Sequence, residues 1–313
     1  MLFFEGLFLI CLLFGFLTVY SMVTDNPFVF SSKMSIFFVI LASGSWLTGA
    51  TMLLVSILLA SFGYFVQGIV LALIVAAILK LNWHTPPKVI ESNKAKLKIS
   101  TVNVLVTNKN KGTMIGNELA QEDPDIIFIQ EYDANIGQGM EVFLNKYTYC
   151  FIAEPNEEGL PDLAIYSKLP LLNRRIHYVG NRPVMLTDIE HDEQTITLIN
   201  VHTMSPTDSE RATTWHFEME SFRTAFNMQT PAIIAGDFNS SVSHAPFRNL
   251  LRACNLIDMT SFINTWSINS SIPDVLHLDH ILTTVDFQLT SKPVKTLGEG
   301  SDHAPVTVTL ALI

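Results

Sequence analysis

Apolar positions follow two different rhythms along this chain. Through the first 80 residues they run almost without interruption, and beyond that they come in short alternating stretches. Leu7 to Val23 is one uncharged run, and Met34 to Leu79 is a second of 46 residues. About 20 apolar residues cross a bilayer as a helix. The first run therefore predicts one span, and the second is long enough for two. The break within it is expected near Ser61-Phe62-Gly63 or at Ser43-Gly44-Ser45. A cleaved signal peptide is the rival reading of the first run, but it shows no small-residue cleavage site and more apolar chain follows.

From about residue 96 the pattern changes to strands and helices. Strand-like stretches are 97–106, 125–131, 163–167, 184–190, 194–202, 232–236, 279–284, 287–291 and 305–313. Between them, 113–122, 134–144, 208–228 and 245–253 read as helices. The third should start after Ser205-Pro206-Thr207, where a hydroxyl can cap the first turn. Strands with helices packed outside imply a layered α/β sandwich. Residues 82–95 read as a linker, since Pro86-Pro87 bars a helix from continuing. The organisation expected is a membrane region over 1–81 with two or three transmembrane helices, that linker, and one soluble domain over 96–313.

Charge sharpens this division. Up to residue 80 only Glu5, Asp25, Lys33 and Lys80 are charged. Of 29 acidic and 19 basic residues, 26 and 15 lie in the soluble part, giving it a formal charge of −11. Such a surface repels polyanions unless metal or a basic patch intervenes, so long nucleic acid is not the favoured ligand. Lys80, Lys88, Lys94, Lys96 and Lys98 follow the last apolar run, against Lys33 alone in the first loop. By the positive-inside rule that would leave the domain in the cytoplasm. Cys11, Cys150 and Cys254 are too scattered to indicate a disulfide framework.

Polar residues gather at the ends of the expected strands. Asn103 lies in the first and Gln130-Glu131 closes the second. His202 ends a third, Gly236-Asp237-Phe238-Asn239 follows "AIIA", Asp279-His280 opens another, and Ser301-Asp302-His303 precedes the last. Taken singly, each could be a turn residue, a solvated strand end or a buried histidine. In this order they suggest a site built on one edge of a sheet. Carboxylates, amides and imidazoles without a cysteine cluster suit a hard cation such as Mg²⁺ or Mn²⁺.

This ordered set resembles the endonuclease/exonuclease/phosphatase superfamily over about residues 97–312. The stretch from "VHTMSP" through Arg211 to "GDFNSSVSHAPFRNLL" is similar to its bacterial membrane-anchored branch, which includes teicoplanin-resistance-type membrane phosphatases. The resemblance implies a four-layered α/β sandwich, two packed mixed β-sheets with outer helices, behind the transmembrane region. It implies that Glu131 and Asn103 bind metal, with Asp302 joining directly or through water. Asp237 would orient and deprotonate the attacking water, and Asn239 would contact phosphate. His303 would contact the scissile phosphate, held by Asp279, with His202 at the phosphate or leaving group. Arg211 and His280 are candidate substrate contacts. The expected activity is metal-dependent hydrolysis of a phosphate ester or pyrophosphate, with a lipid-linked substrate favoured, at a bacterial inner membrane. The alternatives are a tethered nuclease, a sphingomyelinase-like phosphodiesterase, or a non-catalytic membrane binding module. Related nucleases carry a carboxylate two positions after the first-strand asparagine, and here that position is Leu105, which weighs against DNA. The branch works outside the cell, against the lysine count, so sidedness stays open. No protein partner is implied.

Overall fold

The computed structural model describes residues 2–26, 29, 33–108, 112–153, 162–226, 231–268 and 273–313. The chain divides into two compact units. The first holds Met1–Thr85, Ser205–Glu220 and Ser240–Asn249, and the second holds Pro86–Met204, Ser221–Asn239 and Leu250–Ile313.

Four helices make up most of the first unit: α1 (Leu2–Val23), α2 (Ser35–Ser43), α3 (Ser45–Ser61) and α4 (Phe65–Asn82). One break was expected in the long apolar run, and the helices are interrupted at both candidate places, at Gly44 and at residues 62–64. Helices α1 and α4 are each long and apolar enough to cross a membrane, whereas α2 and α3 form a pair bent by 65°. Cys11, Met22, Met52, Leu59, Leu71 and Ile78 pack together inside this bundle. Leu9, Leu13, Phe16, Leu54, Val66 and Leu73 point outward and are largely exposed. A bundle with apolar residues on both its inner and outer faces is one that water does not solvate well.

The two later segments of this unit bond to the ends of the apolar helices. Asp25 Oδ1 lies 3.0 Å from His216 Nε2, and Asn249 donates to the other oxygen of Asp25. Ser209 donates to the carbonyl of Lys33 at 2.8 Å, Ser243 donates to Asn82 Oδ1 at 2.6 Å, and Ser43 Oγ lies 3.1 Å from His244 Nε2. The division expected at 82–95 assigns 205–220 and 240–249 to the soluble part, yet by packing they group with the apolar helices.

The second unit contains two mixed sheets. In chain order its strands are β1 (Lys96–Asn103), β2 (Ile126–Tyr132), β3 (Tyr149–Ile152), β4 (Asp162–Ser167), β5 (Leu172–Val179), β6 (Arg182–His191), β7 (Gln194–His202), β8 (Ala232–Asp237), β9 (Ile257–Asp258), β10 (Asp279–Thr283), β11 (Phe287–Leu289), β12 (Val294–Lys295) and β13 (Val306–Leu312). One sheet runs β11-β13-β1-β2-β4-β3 with β12 beside β13, and the other runs β5-β6-β7-β8-β10-β9. Helices α5 (Thr113–Glu122) and α6 (Ala134–Leu144) pack on the first sheet, while α7 (Ser209–Ala225) and α8 (Ala245–Ala253) each divide between the two units. Ile99, Phe128 and Val308 of the first sheet meet Met185, Leu198 and Ile233 of the second in the shared core. Ile127 and Ile129 face Ile115, Leu119, Ile136 and Met140 of α5 and α6.

Several expectations change in detail. Part of the expected linker is paired, with Val89 bridging Leu289 and Ile90 donating to the Leu289 carbonyl. The cap of α7 is the Asp208 carboxylate, which accepts from Arg211 N at 2.9 Å, rather than a hydroxyl further upstream. Positions 227–228 at the expected end of that helix lie outside the described residues. Strands β3, β5, β9 and β12 were not legible. β5 carries Arg174, Arg175 and His177 at a sheet edge, and it is held by its pairing with β6 rather than by an apolar face.

Each sheet contains one parallel pair, β1 with β2 and β7 with β8. A parallel pair needs a crossover, supplied by α5 in one case and α7 in the other. The C-terminal ends of both strands in each pair therefore emerge on one edge. Those ends carry Asn103 with Glu131, and His202 with Asp237.

Candidate active site

Strand register sets the first row of the site. His202 is aligned with Asp237 across β7 and β8, and Asp237 with Asp279 across β8 and β10. Three polar side chains thus stand abreast at the tips of adjacent strands. Gly236 is needed just before this row, because its φ is +147° and a Cβ there would lie 1.9 Å from the carbonyl oxygen of Val201.

A β-bulge sets the second row. In the pairing of β2 with β4 the register shifts between Ile129 and Tyr132, and Glu131 has a left-handed φ of 56°. The bulge turns the Glu131 carboxylate out of the regular pleat. Asn239, just past β8, is also left-handed, with φ of 45°. Its own N–H donates to Asp237 Oδ1 at 2.8 Å, an Asx turn that fixes both residues.

Asn103 joins the rows. Its Nδ2 lies 3.1 Å from Glu131 Oε1 and 3.1 Å from Asp237 Oδ2, and its Oδ1 accepts from Leu105 N at 3.0 Å. One amide thereby spans carboxylates from both sheets. Val106 N donates to Glu131 Oε2 at 2.9 Å, and Asn239 Nδ2 donates to the Thr203 carbonyl at 3.1 Å. His202 Nε2 stands 3.9 Å from Glu131 Oε1 and 3.7 Å from Asp237 Oδ2.

The segment before β13 brings the remaining groups. His303 Nδ1 bonds to Asp279 Oδ2 at 2.8 Å, and its Nε2 points to Asp237 Oδ2 at 3.7 Å. Ser301 Oγ donates to the Asn103 carbonyl at 2.8 Å and accepts from His303 N at 3.1 Å, tying this segment to β1. Asp302 Oδ2 accepts from Trp266 Nε1 at 2.9 Å. Sequence reasoning missed Trp266, since a tryptophan in an irregular stretch carries no sign of what its indole N–H will meet.

These neighbours set the charges. Burial pushes the Asp237 carboxyl up to about 7, against the pull of His303. Burial also works against charge on His303, but Asp279 and Asp237 outweigh it and raise the imidazole to about 10. Asp279 is lowered, because its bonds to His303 overcome burial. Burial, reinforced by the charge of Arg182, takes His202 down to about 4. Around neutral pH the site thus presents a carboxylate that can accept a proton, a charged imidazole opposite it and a neutral one beside it.

Not every expected residue joins. His280 lies on the opposite face of β10 from Asp279, as strand alternation requires. It is buried, bonds Asp258 Oδ2 through Nδ1 at 2.9 Å and meets the Phe238 ring edge-on. Its place is in a buried polar cluster with Asp258, His277 and Thr260, so it is not positioned as a substrate contact. Arg211 belongs to the first unit, where its exposed side chain pairs with Asp208 at 3.6 Å.

The donor set suits a divalent cation. Hard oxygens dominate it, and buried Oδ1 atoms of Asp302 and Asp279 have no hydrogen-bond partner. Glu131 is the more exposed of the carboxylates that share Asn103. Asp237, Asp279 and His303 offer ligand atoms within 4.8 Å of one another, but the short His303–Asp279 bond makes this trio a proton-holding group first.

A family profile described as "Endonuclease/Exonuclease/phosphatase family" matches residues 100–303. No curated protein matches the chain at a significant level. Among solved structures, a humanised TDP2 of D. rerio is similar at 16% identity, covering 69% of this chain and 99% of that one, with a TM-score of 0.56. A functionally unknown conserved protein of Enterococcus faecalis V583 gives 18% identity, 69% and 100% coverage and a TM-score of 0.58. The catalytic domain of human Nocturnin, bound to sulfate, gives 14% identity, 73% and 100% coverage and a TM-score of 0.55. At these identities the likeness is one of fold.

Proposed function

Since the chain belongs to the endonuclease/exonuclease/phosphatase family and is a metal-dependent phosphoric ester hydrolase, we propose that it is membrane-anchored, uses Mg²⁺ or Mn²⁺, and acts on a phosphate ester or pyrophosphate carried by a lipid. The observation that carries the catalytic half of this reading is the Asn103 amide shared by Glu131 and Asp237, with His303 facing Asp237. Glu131, Asn103 and Asp302 would hold the cation. When bound, it supplies positive charge against the developing charge on phosphate and lowers the pKa of water.

Hydrolysis needs a positioned water, a base beside it and donors facing the phosphoryl oxygens. Asp237 takes the proton from the water, being buried and raised to about 7. Asn239 donates from its side-chain amide without adding repulsion. His303, kept charged by Asp279, donates from Nε2 to the phosphoryl group. Neutral His202, beside Asp237, donates to the phosphate or the leaving group.

The membrane half rests on the apolar, outward-facing α1 and α4 and on the bonds within the first unit. Asp25 after α1, Lys33 before α2 and Asn82 ending α4 all bond to 205–220 or 240–249. These three chain positions therefore belong on one side of the bilayer. Ser43 at the end of α2 bonds to 240–249 as well, so the arrangement fits α2 lying on that same side and three crossings by α1, α3 and α4, with the N-terminus on the far side. A tether is useful when substrate is confined to two dimensions, which favours a lipid-linked phosphate.

Protein purified in detergent should hydrolyse phosphoesters with Mg²⁺ or Mn²⁺ and stop when EDTA removes them. Asp237→Ala and His303→Ala should each lose at least about 100-fold in rate while staying folded. Undiminished turnover in either variant would remove the mechanism. Polyprenyl pyrophosphate, sphingomyelin, phosphoinositide and plasmid DNA assayed side by side decide the substrate class, and plasmid as the best substrate would favour the nuclease reading. Protease protection in sealed vesicles gives the side of the domain.

A further inference from the structure

Several partly buried cations of the second unit are neutralised by carboxylates. Arg175 pairs with Asp188 at 3.1 Å, Lys98 with Glu122 at 3.0 Å, and Lys168 with Asp123 at 3.2 Å. Arg182 is different. It is half-buried, and among the described residues no carboxylate forms an ion pair with it. Its hydrogen bond goes instead from Nη2 to Met204 Sδ at 3.4 Å. A thioether is a weak acceptor that can direct a guanidinium without cancelling its charge. In a domain of formal charge −11, a cation left in this state calls for an explanation.

Its place in the fold supplies one. Arg182 opens β6, directly after the turn from β5, and β6 pairs with β7 in a register that matches Met185 to Asn200. Continued to the strand end, that register sets position 182 opposite 203, one residue past His202. Met204, the group that holds the guanidinium, is two residues past His202. Asn239 bonds the carbonyl of Thr203 between them. Arg182 therefore stands at the rim of the row formed by His202, Asp237 and Asp279.

We infer that Arg182 is a substrate-binding residue, forming an anion subsite beside the reaction centre that takes a second phosphate next to the scissile one. This rests on the phosphoesterase reading above and narrows its substrate class to a diphosphate ester in preference to a monophosphate. The planar fork of five N–H donors fits phosphate oxygens in pairs. Asn239, His202 and His303 serve the phosphoryl group under attack, and none of them is free to serve its neighbour. An ester whose second substituent is neutral leaves the guanidinium desolvated without a partner, whereas a diphosphate satisfies it.

Two measurements on the full chain in detergent micelles test this, comparing wild type with Arg182→Gln and Arg182→Lys. Isothermal titration with inorganic pyrophosphate and with orthophosphate, Mg²⁺ present, reads the subsite without turnover. Wild type should bind pyrophosphate more tightly. Arg182→Gln should lose about 30-fold of that preference, equivalent to about 2 kcal/mol, and Arg182→Lys should keep part of it. Hydrolysis of geranyl diphosphate and geranyl monophosphate should show the same fall in the ratio of their kcat/KM values. An unchanged ratio in Arg182→Gln, or no preference for pyrophosphate in wild type, overturns the subsite. Wild type that hydrolyses neither ester overturns the lipid-linked phosphate reading instead, and the titration still decides on Arg182.

Discussion

Replacing Asp279 with asparagine should turn His303 from a charged donor into a group that titrates within the working range. Asparagine has the shape of aspartate and can still accept from His303 Nδ1, so the ring keeps its orientation while its counter-charge is lost. The rise of the imidazole from its ordinary 6.5 to about 10 corresponds to about 5 kcal/mol, at about 1.4 kcal/mol per pH unit. Three carboxylates produce that rise against burial, Asp279 at 2.8 Å first, then Asp237 at 3.7 Å, with Asp302 adding to them. Because burial opposes the charge throughout, losing the nearer, hydrogen-bonded carboxylate brings His303 in the variant well down towards its ordinary range. At about pH 9 the wild-type ring stays charged and the variant ring does not, so kcat/KM there should fall about 100-fold, with a smaller deficit at about pH 6.5. Stability moves with it. A group raised on folding stabilises fully below its unfolded pKa and loses that contribution as pH rises through about 10. Wild type should therefore lose melting temperature towards about pH 10 more steeply than the variant does. The assay is a pH profile of kcat/KM for both proteins, with a parallel set of thermal melts. A loss of the same size at every pH, or an alkaline limb that stays in place, would refute the electrostatic role given to Asp279.

Gly236→Ala should fail to fold or lose more than about 4 kcal/mol, since its Cβ would strike the Val201 carbonyl. A wild-type melting curve for it would contradict this close approach of Gly236 to Val201. Asp258→Asn should cost about 3 kcal/mol of stability in chemical denaturation while leaving kcat of the folded protein intact, because Asp258 serves the buried His277–His280 cluster and not the reaction centre. Against its burial, His280 and His277 hold Asp258 far below the usual carboxylate range. Its contribution is present above the unfolded pKa of about 3.9 and disappears only in stronger acid. His244 behaves oppositely: burial pushes it down to about 4, so the unfolded chain binds the extra proton first. Stability should be complete above about pH 6.5 and fall by about 3 kcal/mol towards pH 4. His244→Gln should flatten that limb of the melting profile.

Much of this was written in the local pattern of the chain. Helices 113–122, 134–144 and 245–253 begin and end where periodicity placed them, because each is amphipathic and bounded by breakers. The central strands were legible for a similar reason, being short apolar runs ended by polar residues. Edge strand β5 was hidden because it is charged and half-solvated, and only its partner β6 makes it a strand. Of the residues the sequence singled out, the structure places Asn103, Glu131, His202, Asp237, Asn239, Asp279 and His303 in one connected network. They are found in order because each closes or opens a strand, and that position is a property of sequence. Which way a side chain faces is not. His280 stands beside Asp279 in the chain and on the other side of the sheet, and only its pairing within β10 decides that. Arg182 and Trp266 matter through neighbours far away in sequence, in Met204 and Asp302. Local composition fixes what kind of element each segment becomes, since that depends on near neighbours. Pairing, register and the crossing of two sheets decide which polar groups share a charge, because that depends on distance in space.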